Sequence, residues 1–170
     1  RGRQFKAGDV LESVDKNISD KRELPEEYKP SFSGHYLLRC VEGLEVNEFS
    51  EKAMNTFYNS TYIVSNDSNR MGLRLEGDTV ISDQTTELVS SGLVQGSIQV
   101  PPSGLPIISS VDGQTIGGYP RIANVISSDL NILGQLKAGD KISFQLVSRN
   151  DAIKQLKQKQ TFLNKLFINK

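Results

Sequence analysis

The 170-residue chain contains no tryptophan, one cysteine, one histidine and two methionines, and each scarcity removes a class of chemistry. A lone Cys40 cannot close a disulfide within the chain, and Cys40 with His35 is too small a set for a Cys/His metal cluster. With His35 as the only imidazole, a self-contained Ser-His-Asp triad lacks a choice of base. His35 stands in "SGHY", just ahead of a strand-like run, where a surface or edge position is expected. No glycine-rich loop ends in Gly-Lys-Ser/Thr, so a P-loop is excluded. No apolar run is long enough to cross a bilayer or to act as a signal peptide. A cytoplasmic protein is the expectation. Net charge is missing too. Lys plus Arg and Asp plus Glu are both 20, which leaves no field to gather nucleic acid or an anionic membrane.

What is present is β pattern. In "YLLRCV", Tyr36, Leu38 and Cys40 alternate with Leu37, Arg39 and Val41, a period of two that predicts a strand with Cys40 in the core. "KISFQLV" predicts another, with Ile142, Phe144 and Leu146 on its buried face. "TYIVS", "GSIQV", "LPIIS" and "RIANVI" are further short β-branched runs bounded by Gly, Pro, Ser or Asp. Many short strands with turn signals between them point to a barrel or sandwich.

Helical spacing occurs three times. Behind a Ser50 N-cap, Ala53, Met54 and Phe57 share one side of residues 50–59. Residues 128–136 form a second short segment. In residues 150–167, Ile153, Leu156, Leu163 and Phe167 make an apolar stripe beside Lys154, Lys157, Lys159 and Lys165, the pattern of an amphipathic helix docked by one face. Residues 15–33 are polar, mixed in charge and contain two prolines. They lack the apolar surface to form core and read as a linker.

Lys-Ala-Gly-Asp occurs twice, at residues 6–9 and 137–140. In each copy the glycine can take positive φ and turn the chain into a following strand. If each copy closes a barrel, residues 1–14 end an upstream barrel domain, 15–33 link, and 34–170 form a complete barrel with its terminal helix.

Three blocks, "SNRMGLRLEG" (68–77), "GSIQVPPSGLPI" (96–107) and "DGQTIGGYPRIANVISSDL" (112–130), occur in this order ahead of "LKAGDKISF". Together they resemble the C-terminal half of the KipA-like family, which takes in the C subunit of 5-oxoprolinase, allophanate hydrolase subunit 2 and biotin-dependent carboxyltransferase domains. The resemblance covers roughly residues 36–148. This sequence departs from the family pattern at Asn69, where Asp is frequent, at Ile116, and at Ser109 and Ser110. The resemblance implies a mainly β fold of α+β type: a cyclophilin-like β-barrel with a few short helices.

The residues of these blocks nominate a site. In "RMGLRLE", alternation puts Arg70, Arg74 and Glu76 on one strand face. An arginine fork there can hold a carboxylate, with Glu76 orienting it, and a structural ion pair on a solvated face remains the alternative. Gln99 lies between Ile98 and Val100, and its amide suits a lactam, urea or carbamoyl group; tying down the Pro101-Pro102 turn is its alternative role. Gly117 and Gly118 let backbone approach a ligand, and Tyr119 is held extended by Pro120. Gln114, Thr115 and Arg121 complete a polar set, although a rigid turn explains the same residues.

Arg70, Glu76 and Gln99 are thus the catalytic candidates, and Arg74, Gln114, Thr115, Gly117, Gly118, Tyr119 and Arg121 the substrate-binding ones. No metal ligands are expected. The resemblance further implies an ATP-dependent opening of 5-oxoproline to glutamate shared with companion subunits. The alternatives are carboxyl transfer to urea or a similar amide, with biotin brought by another domain, and a non-catalytic antagonist of a kinase inhibitor. The expected partners are the upstream half of the polypeptide and a 5-oxoprolinase or KipI-like subunit, with ATP handled by the assembly.

Overall fold

The structure is a computed structural model that describes residues 3–12, 26, 29, 31–82 and 89–168. The chain divides into two compact units, Arg1–Ser31 and Phe32–Lys170. In the larger unit, β1 (His35–Glu42) leads through a 3₁₀ turn at Val46–Glu48 into α1 (Glu51–Asn59). There follow β2 (Tyr62–Val64), β3 (Gly72–Glu76), β4 (Ser91–Gly92), β5 (Ser97–Gln99), β6 (Ile107–Ser109), β7 (Ile116–Gly117) and β8 (Arg121–Val125). The one-turn α2 (Leu130–Leu133), β9 (Lys141–Leu146) and α3 (Arg149–Ile168) complete it.

Seven strands close a barrel in the order β1-β8-β5-β6-β3-β2-β9, while β4 and β7 form a separate two-stranded ribbon. Closure leaves these strands no open edge. The seam is the parallel pair β1–β9, in register from His35 opposite Lys141 to Cys40 opposite Leu146. Alternation fills the interior: Leu38 and Cys40 from β1, Leu73 and Leu75 from β3, Ile98 from β5, Ile108 from β6 and Ile142 from β9 are all buried. At the α1 side, Phe57 stacks on Phe144 with ring centroids 4.5 Å apart. The Ser50 hydroxyl accepts from the Ala53 N–H at 3.3 Å, capping α1 as its sequence predicts. Among the described residues, no helix is long and apolar enough to cross a membrane.

The two Lys-Ala-Gly-Asp copies fold alike. Gly8 has φ +92° and Gly139 φ +88°, values open to glycine at little cost. The Asp9 N–H donates to the Lys6 carbonyl and the Asp140 N–H to that of Lys137, each at 3.1 Å. Each Asp carboxylate also accepts from the lysine N–H, at 2.8 Å in the first copy and 3.0 Å in the second. The second copy runs into β9. After the first, residues 10–12 are not in a strand, and Val10 and Leu11 are 85% and 74% exposed.

Four expectations need correction. Leu146 is 46% exposed: it is still paired with Cys40 at the end of β9, but the chain turns into α3 just beyond it and nothing covers its side chain fully. Arg70 lies outside the strand, since β3 begins at Gly72, and so does not share the β3 face with Arg74 and Glu76. The second helical segment shrinks to Leu130–Leu133. The α3 helix forms, but Ile153, Leu156 and Leu163 of its apolar stripe are 38–45% exposed, and the side chain of Phe167 lies outside the described residues. One polar tie runs from the Lys159 ammonium to the Ser128 carbonyl at 2.6 Å. Most of the expected linker, residues 15–25, 27, 28 and 30, lies outside the described residues.

Candidate functional site

Register places a polar row on the outer wall. Arg74 of β3 is opposite Ile107 of β6, Ile107 is opposite Gln99 of β5, and Gln99 is opposite Arg121 of β8. The last pairing depends on a bulge: Ile98 faces Ala123 while the next residue, Gln99, faces Arg121, so Ile122 is the extra residue. A bulge re-aims the side chains beyond it. Here it lets Ile122 and Ala123 both stay buried and brings Arg121 beside Gln99.

The β4–β7 ribbon covers one end of this row. Ser91 is opposite Gly117, and Gly92 is opposite Ile116. A Cβ on Gly117 would stand 2.7 Å from Gln99 Nε2 and 2.6 Å from Leu93 Cδ1, so glycine lets the ribbon lie this close without displacing the ends of those two side chains. Gln99 is therefore just 5% exposed on an outward face, and its Nε2 donates to the Tyr119 carbonyl at 3.3 Å.

Beside the ribbon is a cleft of about 300 Å³ lined by Asn69, Met71, Gly72, Arg74, Gln99, Ile107, Ser109, Gln114 and Tyr119. One guanidinium, two glutamine amides, an asparagine amide and two hydroxyl-bearing residues meet around the apolar Ile107 and Met71. A few polar groups converging on a partly apolar concavity is the usual form of a small-molecule site. Larger hollows lie along α3, beside Val41 and Leu146, and between the turn at residues 65–70 and residues 133–138. All three are more open to solvent than the cleft, and none brings glutamine amides and a guanidinium together in this way.

Of the sequence candidates, the cleft unites Arg74, Gln99, Gln114 and Tyr119, with Gly117 at its border. Arg70 points away and donates from Nε to Asp112 at 2.5 Å, with both side chains largely exposed. Glu76 ends β3 on the solvent side and does not line the cleft. Thr115 and Gly118 are exposed outside it, and the Thr115 carbonyl accepts from the Leu93 N–H at 2.8 Å.

Arg121 is spent on protein groups. It is 6% exposed and forms a fork with the Glu45 carboxylate, Nε to Oε2 at 2.6 Å and Nη2 to Oε1. The guanidinium in return holds the Glu45 carboxyl below its ordinary range, mainly by hydrogen bonding. Cys40 is sealed in the core, where burial pushes its thiol up and away from the nucleophilic thiolate. Asn69 and Ser109 were missed from sequence. Asn69 sits in a turn, its Oδ1 accepting from the Met71 N–H at 2.8 Å, and Ser109 reads as ordinary strand; only the β3–β6 pairing of Gly72 with Ser109 brings them to the cleft.

Known proteins share this architecture. Residues 1–146 match the family model of the carboxyltransferase domain, subdomain A and B. Over 165 residues the chain is 37% identical to the 5-oxoprolinase C subunit of Escherichia coli and 35% identical to that of Haemophilus influenzae, in each case across 97% of this chain and 52% of the relative. The chain thus spans about half the length of these curated relatives. The crystal structure of the Kluyveromyces lactis urea carboxylase superposes with a TM-score of 0.71 at 26% identity, over 78% of this chain and 13% of that one. The barrel is cyclophilin-like, and the chain belongs to the carboxyltransferase-domain family of subdomains A and B.

Proposed function

We propose that the chain is the C-terminal barrel of a 5-oxoprolinase subunit, which opens the lactam of 5-oxoproline to glutamate together with companion subunits. The observation that carries this reading is the cleft, in which the Arg74 guanidinium and the amides of Gln99 and Gln114 converge. A planar guanidinium complements a carboxylate, and primary amides complement a lactam N–H and C=O. 5-Oxoproline has both groups on one small ring. The similarity to two proteins named as the C subunit of 5-oxoprolinase supports the same reading. As water adds to the lactam carbonyl, negative charge grows on its oxygen. In this reading the Gln99 amide, at the wall of the cleft, is the donor fixed in advance that stabilises it.

A nucleoside triphosphate with its divalent cation does not fit this cleft. Among the described residues, Arg74 is its sole cationic side chain and no carboxylate lines it. In this reading ATP is handled by the assembly as a whole, and the repeat of the Lys-Ala-Gly-Asp turn supports an upstream barrel ending near residue 14. The match to a urea carboxylase favours a second reading, carboxyl transfer to urea or a similar amide from biotin carried elsewhere. Co-expression with the companion subunits separates the two. ATP-dependent release of glutamate from 5-oxoproline is expected, and bicarbonate-dependent carboxylation of urea without glutamate release would replace this reading with the second.

A further inference from the structure

Arg121 is buried on the outer side of the barrel, and its guanidinium bonds to protein groups on two sides. Besides the Glu45 fork, Nη1 donates to the Gly92 carbonyl at 2.5 Å and Nη2 to the Ser91 hydroxyl at 2.8 Å. Its backbone N–H also donates to Glu45 Oε2 at 3.1 Å. Glu45 is brought there by the tight exit of β1: a Cβ on Gly43 would stand 2.0 Å from the Arg121 carbonyl oxygen. One side of the fork thus grips the barrel. The other side grips β4 of the ribbon.

The grip extends to the cleft. β4 is paired with β7 through Ser91 and Gly117, and the Leu93 N–H donates to the Thr115 carbonyl. Gly117 rests over Gln99 Nε2, and Tyr119, two residues on, accepts from that same nitrogen at 3.3 Å. The Gln99 amide is therefore held by groups whose own position depends on the ribbon. A buried ion pair is a poor source of net stability against an apolar filling of the same volume, whereas its fixed fork geometry orients what it binds.

We propose that Arg121, clasped by Glu45, is a positioning residue that pins the β4–β7 ribbon over the barrel and thereby sets the Gln99 amide for ligand. The inference rests on the reading of the Gln99 cleft as the ligand site. It predicts order in a specific place, so its test needs no turnover. In ¹⁵N-labelled 170-residue chain, Arg121→Lys keeps the charge and breaks the fork, and Ser91→Ala removes a single exposed acceptor. Both are expected to lower hydrogen-exchange protection of the Leu93 amide by about tenfold or more, as a local opening would. The side-chain amide resonances of Gln99 shift, while the Ile108 and Phe144 amides keep their protection. Unchanged Leu93 protection and Gln99 resonances in the two variants would overturn the proposal. So would equal loss at Leu93, Ile108 and Phe144, which would make Arg121 one more core contact. If the ribbon loosens as expected but Gln99→Leu leaves the assembled enzyme fully active, the clasp stands and the reading of the cleft falls.

Discussion

Gln99 and Arg70 show how little residue type alone settles. Both were nominated from sequence, yet Gln99 is mostly covered by the ribbon at the wall of the cleft and Arg70 is paired in solvent with Asp112. Exposed pairs of that kind contribute little. Arg70→Ala is therefore expected to leave both melting temperature and assembled activity close to wild type. Gln99→Leu keeps the bulk and removes the amide. Loss of one preorganised donor lowers kcat by about 100-fold or more, and that is the expected fall in glutamate release if the proposed function holds. Arg74→Ala is expected to raise KM for 5-oxoproline more than it lowers kcat, through loss of carboxylate binding. Glu45 adds a pH dependence. Its folded-state pKa is below the ordinary 4.5, chiefly through hydrogen bonding from Arg121. The stability it contributes is thus complete above the unfolded value and is lost as pH falls through the lower, folded one. In denaturant melts from pH 7 to pH 3, Glu45→Gln is expected to be less stable at neutral pH and to show a flatter acid limb.

Elements follow local rules where their surroundings agree and depart where they do not. β9 and α1 meet through Phe144 and Phe57, a contact at the centre of the core. Phe144→Ala is expected to destabilise by roughly 3–5 kcal/mol in equilibrium denaturation. α3 obeys helical spacing, yet Ile153, Leu156 and Leu163 of its stripe stay partly exposed. Ending the chain at Ser148 is expected to remove helical signal from circular dichroism while the barrel still melts cooperatively within a few degrees of wild type. A collapse of the transition would show that α3 is part of the folding unit.

At the scale of the molecule, the chain covers 52% of its curated relatives, and the proposed reaction needs more machinery than this cleft offers. Purified 170-residue chain is expected to release no glutamate from 5-oxoproline with ATP and magnesium. Steady turnover by that preparation would mean that a nucleotide site exists within it. The division into two units carries a further expectation. Removal of residues 1–30 should leave the cooperative melt of the barrel intact, because the seven strands that close it run from His35 to Leu146.

Most of the barrel was legible in the residues because its causes are local. Alternation assigns Leu38, Cys40, Ile142 and Phe144 to the interior, Ser50 caps α1 three residues ahead of Ala53, and Gly8 and Gly139 allow the same four-residue turn. Each of these depends on neighbours within about one turn of chain. The same alternation puts Gln99 on the opposite face of β5 from buried Ile98 and Val100. It could not say that a ribbon from residues 91–92 and 116–117 would cover it. Nor could it choose among Arg70, Arg74 and Arg121, whose guanidinium groups are chemically identical. Their partners decide, and these lie 42 residues away for Arg70 and 76 for Arg121. The β8 bulge and the tight exit of β1 spend Arg121 on Glu45, while the β3–β6–β5 register leaves Arg74 at the cleft. Side-chain chemistry and local periodicity were set by the sequence read alone; which charge is used up and which is left for a ligand was decided only when distant strands met.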